Sequence, residues 1–157
     1  MPDVMMTVQL KEKATESRAS KTSGEGPDDT RYDLRIGETL HAAQWKRRMI
    51  FLVVRAAIAL GTKRAHLPLP ARKWLVVDGH TSTREAFVDL VRTKIGPDNS
   101  LDERRWFLND DELFRDATST FALSNQWSGA EVLPIIDEIA ERHPQLGISY
   151  EAKSSIG

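Results

Sequence analysis

Apolar and polar residues follow different patterns along the chain, and each pattern predicts a different kind of structure. Residues 1–30 are rich in Lys, Glu, Ser, Thr and Gly and offer almost nothing to bury, which predicts a disordered N-terminal tail. The next eight residues, RYDLRIGE, alternate apolar and polar side chains as an extended segment does. Residues 31–157 are therefore predicted to form a single domain on which this extended segment docks.

A long apolar run with 3–4 spacing predicts a helix over about 40–60, with Thr39 as its N-cap and Gly61 as its C-terminal stop. The residues of its buried stripe are Trp45, Met49, Leu52, Val53, Ala56, Ala59 and Leu60. This helix is apolar on nearly every side, which is typical of a helix packed on more than one side. We expect either the rest of the domain or a second protomer to cover it.

After residue 73 a pattern of strand, capping box and amphipathic helix occurs twice, with an offset of 46 residues. The first copy has the strand candidate WLVV at 74–77 and a capping box from Ser82 to Glu85. The second copy has TFAL at 120–123 and a capping box from Ser128 to Glu131. The repetition predicts two similar structural units.

Each predicted helix is followed by a further strand candidate, RWFL at 105–108 and GISYE at 147–151. Two such βαβ units predict an α+β fold, a ferredoxin-like βαββαβ four-stranded antiparallel sheet over about 73–151 with both helices on one face. The extra basic helix at about 40–60 is expected to pack on this sheet. Pro134 conflicts with the second helix unless that helix begins near Glu131.

The composition excludes several classes of protein. The chain has no Cys, so disulfides, thiol catalysis and Cys-ligated metal sites are excluded. The longest apolar run is about half the ~20 residues that span a bilayer, and Arg55 lies within it. No secretory signal is visible. We expect a cytoplasmic protein without a membrane span.

Charge is distributed unevenly along the chain, although the net charge is only −1. Residues 1–73 carry 14 basic and 8 acidic side chains, whereas residues 74–157 carry 8 and 15. The segment from His41 to Lys73 contains eight Lys or Arg and no acidic residue. This basic segment has three interpretations, namely internal or oligomeric packing, an acidic protein partner, and a nucleic-acid backbone.

The basic helix and its flanks are the predicted partner-binding surface, because clustered cations beside an aromatic ring suit an anionic partner. The basic face of the helix also carries two apolar residues, Phe51 and Ile58, which suggest a protein contact such as a homodimer. The predicted partner-binding residues are Trp45, Lys46, Arg47, Arg48, Phe51, Arg55, Ile58, Lys63 and Arg64. The predicted function is a non-catalytic interaction module that is oligomeric and needs no cofactor.

The alternative function is a metal-dependent ferredoxin-fold nuclease. Asp78 ends the first predicted strand and His80 follows two residues later, where side chains reach solvent or ligand. In the predicted sheet the first and third strands, 74–77 and 120–123, are parallel neighbours, so Ser124 would lie beside Asp78. Asp78 is the candidate ligand of Mg²⁺ or Mn²⁺, paired with the same residue of a second protomer, and His80 is a candidate acid or base. The other interpretation of both residues is turn chemistry ahead of capped helices.

The second acidic feature is the run Asn109-Asp110-Asp111-Glu112 between two predicted strands. It lacks the spacing of a calcium-binding loop and is most simply the tip of an acidic hairpin. No glycine-rich phosphate loop, nucleophile elbow or zinc-protease motif is present. The sequence therefore points to binding rather than catalysis.

Overall fold

The computed structural model describes residues 30–96 and 100–153, which contain six strands and three α-helices. The strands are β1 (Arg31–Ile36), β2 (Thr39–Gln44), β3 (Trp74–Asp78), β4 (Phe114–Arg115), β5 (Ser119–Leu123) and β6 (Ile148–Lys153). The helices are α1 (Lys46–Leu60), α2 (Arg84–Ile95) and α3 (Gly129–Arg142). The predicted α+β class is confirmed. The predicted tail lies outside the described residues, apart from Thr30.

β1 is the centre of the first sheet, whose strand order is β2-β1-β6 with both pairs antiparallel. This strand is the alternating segment RYDLRI, and it buries Tyr32 and Leu34 against the core. The turn after β1 and the turn before β6 meet at two glycines, where Gly37 N–H donates to Gly147 O at 3.1 Å. Both glycines have positive φ, and a Cβ on Gly147 would lie 3.4 Å from the Gly37 backbone. The close approach of these turns therefore favours glycine.

The second sheet has the order β3-β5-β4, again with antiparallel pairs. All five residues of its central strand, β5, are buried. Phe121 and Leu123 belong to the core shared with α1 and α3, whereas Ala122 belongs to the core shared with α2. A strand that is covered on both faces has apolar residues at successive positions, which is why TFAL shows no alternation of apolar and polar residues.

α1 has more buried residues than the other two α-helices, and its core includes residues of both sheets. It buries seven residues, Met49, Ile50, Phe51, Leu52, Val53, Val54 and Ala57. It contacts β1 and α3, and the same core contains Trp74 and Phe121 from the second sheet. The domain itself thus covers the helix, which is the first of the two alternatives raised by its apolar character.

α1 and α3 run parallel, because each end of one lies beside the same end of the other. At their starts Lys46 Nζ donates to Gly129 O at 3.3 Å. At the other end Arg142, the last residue of α3, donates to the carbonyl oxygen of His66, which follows the C-terminal end of α1, at 3.3 Å. Both helices therefore direct their N-termini to the same end of the domain.

The predicted single four-stranded ferredoxin-like sheet is wrong, since the described strands form two three-stranded sheets. β3 and β5, predicted to be parallel neighbours, are antiparallel neighbours. The candidate strand at 105–108 forms the end of a 3-10 turn and one isolated bridge, Trp106↔Ser124. The strand candidate at 147–151 is confirmed, but as β6 it pairs with β1 in the other sheet. The prediction failed because β1 takes β6 as its partner and so removes it from the second sheet.

The predicted helix start at residue 40 is also wrong. Residues 39–44 form β2, and the helix begins at Lys46 with Trp45 as its N-cap. Its end is as predicted, since Gly61 adopts the left-handed conformation with φ 114°. α1 is 15 residues long, and no helix of the described residues is both long enough and apolar enough to cross a bilayer.

The two predicted capping boxes have different outcomes. Ser128 and Glu131 form the predicted box at the start of α3. At α2 the N-cap is Thr83 rather than Ser82, and its side chain accepts from Ala86 N–H at 3.1 Å. α3 begins two residues before Glu131, so Pro134 lies inside it, on the exposed side.

Candidate functional site

The start of α1 carries three consecutive cations, Lys46, Arg47 and Arg48, in its first turn. No acidic residue accompanies them, and no side chain caps the helix. Because the N-terminus of a helix carries partial positive charge, cations there are unfavourable and an anion is favoured. The first turn of α1 therefore has the opposite of the usual charge, which makes it the candidate site.

The three cations are oriented differently. Arg47 is exposed to solvent. Lys46 is half-buried, with Nζ at 3.3 Å from Gly129 O and 5.9 Å from the centre of the Tyr32 ring. Arg48 turns inward to Glu112, at 2.6 Å. Arg47 is thus the residue of this turn most accessible to a partner.

An exposed arginine and an exposed tryptophan adjoin this turn. The guanidinium of Arg31, at the start of β1, lies 4.4 Å from the centre of the Trp45 ring. Trp45 is 39% exposed and is one of four large apolar residues of the described chain that are exposed rather than partly buried. A planar cation over an aromatic face is a favourable pair, and each group retains a surface for a partner. The sequence carried no signal that would join Arg31 to Trp45.

The start of α3 lies beside this turn and is already capped. The Glu131 carboxylate accepts from Ser128 N–H at 2.8 Å and lies 3.5 Å from Lys73 Nζ. The Ser128 N–H and the positive charge of Lys73 hold the pKa of Glu131 below its usual range. Lys73 is buried, with its Nζ donating to Gln126 O and lying 4.3 Å from the Trp127 ring centre. The charged side chains at the start of α3 are therefore already paired within the domain.

Three predicted partner-binding residues on α1 pack against the domain itself. Phe51 is fully buried and touches Phe107 and Phe114, with ring centres 4.9 and 5.6 Å away. Ile58 packs against the same core. Arg55 covers the Phe51 ring at 5.1 Å and is half-buried. Phe51 is therefore unavailable to a partner.

Lys63 and Arg64, also predicted to bind a partner, lie beyond the other end of α1. A helix of 15 residues is about 22 Å long, so these cations are separated from Arg47 by roughly that length. Lys63 is exposed, while the guanidinium of Arg64 lies 5.3 Å from the Phe121 ring centre. The predicted basic surface is thus divided between two ends of the domain.

Asp78 and His80 lie at the exposed end of β3. Asp78 pairs with Ser119, whereas Ser124 lies at the opposite end of the sheet beyond the Trp74↔Leu123 pair. The expected juxtaposition of Asp78 with Ser124 is wrong, because antiparallel pairing reverses β5.

The residues after Asp78 are bound to the β4–β5 hairpin. Gly79 N–H donates to Thr118 O at 2.7 Å, and Thr81 N–H donates to the Thr120 hydroxyl at 3.0 Å. His80 Nε2 lies 2.7 Å from Asp116 O and is the donor of this contact, since a carbonyl oxygen only accepts. These contacts attach the loop that follows β3 to the β4–β5 hairpin.

The metal hypothesis pairs Asp78 with the same residue of a second protomer, so a ligand group within residues 30–96 and 100–153 would be a separate site. No three His, Asp or Glu side chains of that part are grouped so as to hold a metal ion. Near Asp78, the carboxylate of Asp116 accepts from Thr118 N–H, the main reason its pKa is lowered, and from Ser119 N–H. Asp116 is therefore engaged in its own turn.

The acidic run at 109–112 is used within the fold. Asn109 and Glu112 form a capping box around a 3-10 turn, and Glu112 is buried against Arg48. Asp110 accepts from Arg84 N–H at 2.8 Å, at the start of α2. The run is thus a structural connector rather than a free acidic tip.

Comparison of this chain with protein-family models, with curated proteins and with solved structures finds no match. A function for the chain therefore has to be inferred from its own geometry.

Proposed function

We propose that this protein is a non-catalytic binding module that holds the phosphate backbone of a nucleic acid at the start of α1. We define this surface, formed by Arg31, Trp45, Lys46 and Arg47, as the basic end. One observation carries the proposal. The first turn of α1 holds three cations, no acid and no side-chain cap, and Arg47 is exposed. Phosphates would satisfy both the Arg47 guanidinium and the helix terminus.

The exposed tryptophan favours a nucleic acid over an acidic protein. Trp45 directly precedes Lys46 in the sequence, and its ring contacts the guanidinium of Arg31. Cations that follow a backbone, together with an aromatic ring on which a base can stack, are the usual means of binding single strands without sequence preference. The basic end has both groups within one contiguous surface.

The test is fluorescence anisotropy with labelled single-stranded RNA and DNA, duplex DNA and poly-glutamate, each at several salt concentrations. We expect the single strands to bind, with an affinity that falls steeply as salt rises. Arg47→Glu should abolish binding, whereas Lys63→Glu, the same change of charge at the other end of α1, should leave most of it. Binding of poly-glutamate alone would indicate an acidic protein as the partner instead of a nucleic acid. Equal losses in both variants would contradict the assignment of binding to the basic end.

A further inference from the structure

The outer edge of β6 faces no other strand in the part of the chain that the structure describes. β6 is the last strand of the order β2-β1-β6, and its backbone forms no hydrogen bond on the side away from β1 within the described residues. Its last three residues, Glu151, Ala152 and Lys153, are exposed. An open edge of this kind is a template for another strand.

The other three sheet edges are interrupted. β2 carries a bulge at Ala43, which has φ 54°, and the side chain of Gln44 donates to Ala42 O. At the edge of β3 Lys94 Nζ donates to Val76 O at 2.8 Å. β4 is only two residues long. Bulges, short strands and side chains that bond to outward carbonyl groups interrupt these three edges, whereas β6 pairs regularly with β1 along all six of its residues.

We infer that β6 is a dimer interface on which a second copy of this chain pairs antiparallel, with the two-fold axis at Ala152. The reason for choosing a second copy is charge complementarity. Glu151 and Lys153 lie two residues apart and so share one face of the strand. With the axis at Ala152, each Glu151 lies opposite Lys153 of the other copy, and each oppositely charged cross-strand pair is favourable.

Lys153 already has one acidic neighbour within the chain. Its Nζ lies 3.5 Å from the carboxylate of Asp33 on β1, and its side chain is still 50% exposed. The exposed half leaves the ammonium accessible to a second carboxylate from the outer side of β6. In the dimer the ammonium would therefore lie between Asp33 of its own chain and the glutamate of the other copy.

Within the described residues this pairing consists of Glu151, Ala152 and Lys153 of each copy, and it joins the β2-β1-β6 sheets of the two copies into one sheet of six strands. A contact of this size is smaller than a standard interface, so we expect weak, concentration-dependent association. Because Arg31 is the register partner of Lys153, both basic ends would lie close to the two-fold axis. The dimer does not depend on the proposed nucleic-acid binding, and each can be tested without the other.

The first experiment is sedimentation equilibrium of the full chain at concentrations up to about 1 mM. The parent should dimerise. Glu151→Lys and Lys153→Glu should each be monomeric, since each places like charges opposite one another. A mixture of the two variants should restore the dimer, because the lysines of one variant then face the glutamates of the other. A monomeric parent at all concentrations, or a mixture that stays monomeric, would overturn the proposal. Thermal unfolding of each variant checks that it is folded.

The second experiment uses the absence of cysteine from the chain. In the proposed dimer the two copies of Ala152 lie opposite each other at Cα separations of about 4.5–5.5 Å, which a disulfide can span. Ala152→Cys should therefore cross-link on mild oxidation. Ser149→Cys is the control, because its two copies would be about 20 Å apart. Equal cross-linking of the two variants would place the contact elsewhere and contradict the axis.

Discussion

The guanidinium of Arg48 lies 2.6 Å from the carboxylate of Glu112, and this pair joins the first turn of α1 to the turn before β4. The Glu112 side chain is 9% exposed and that of Arg48 is 34% exposed. The same carboxylate accepts from Asn109 N–H at 3.2 Å, so it also closes its own turn. Arg48 is thus held by the fold, whereas its neighbour Arg47 is left exposed for a partner.

Glu112→Ala is expected to lower the free energy of unfolding by about 2–3 kcal/mol, because it leaves a partly buried guanidinium unpaired and opens the 3-10 turn. Asp111→Ala is the control, because its side chain is exposed and should change stability by less than about 0.5 kcal/mol. Urea unfolding measures both. Similar losses in the two variants would show that the ion pair contributes little.

Ala43→Gly is expected to stabilise the protein by about 0.5–1 kcal/mol. Ala43 has φ 54°, a left-handed conformation that costs a non-glycine residue energy and that glycine adopts freely. The conformation is supported by Asp33, whose carboxylate accepts from Ala43 N–H at 2.9 Å. Asp33→Ala should correspondingly destabilise by about 1 kcal/mol. Thermal unfolding tests both, and a destabilising Ala43→Gly would contradict the bulge geometry.

Phe51→Ser and Trp45→Ala should separate the core from the surface of α1. Phe51 is fully buried among aromatic rings, and its truncation should cost about 3–5 kcal/mol. Trp45 is partly exposed, and its truncation should cost about 1 kcal/mol or less while weakening nucleic-acid binding. Chemical unfolding and anisotropy on the same samples give both quantities. A folded, fully stable Phe51→Ser would show that α1 is not buried as described.

Glu131→Gln should flatten the acid side of the stability curve. The pKa of Glu131 is lowered from 4.5 in the folded chain, chiefly by the Ser128 N–H. Its contribution to stability is therefore fully present above pH 4.5 and is lost as the pH falls through the lower folded value. We expect the parent to lose more stability than Glu131→Gln over this range. Parallel curves in urea unfolding across the acid range would contradict the contribution of this carboxylate.

Ser128→Ala should cost about 1 kcal/mol, because it removes the hydroxyl of the capping box at the start of α3. Ser82→Ala is a matched control, since Thr83 and not Ser82 caps α2. Urea unfolding should show a loss in the first variant alone. Equal losses would mean that Ser82 has a capping role.

Local signals predicted the elements whose conformation is set by neighbouring residues. The left-handed stop at Gly61 and the box from Ser128 to Glu131 depend on interactions within a few residues, and both are found. The apolar runs WLVV and TFAL are also strands, although their pairing joins distant parts of the chain. The start of α1 was misplaced because residues 39–44 are amphipathic enough for a helix. Only pairing with β1 makes them a strand.

The sequence by itself determined the α+β class, the positions of most elements and the concentration of cations before residue 74. Only the tertiary structure decided how these features combine. The antiparallel pairing of β3 with β5 moved Ser124 away from Asp78, and the length of α1 separates the cations at its start from those beyond its end. The physical reason is that strand partners and helix surroundings depend on contacts between residues distant in the sequence. β6, for example, lies more than a hundred residues from β1, the strand with which it pairs.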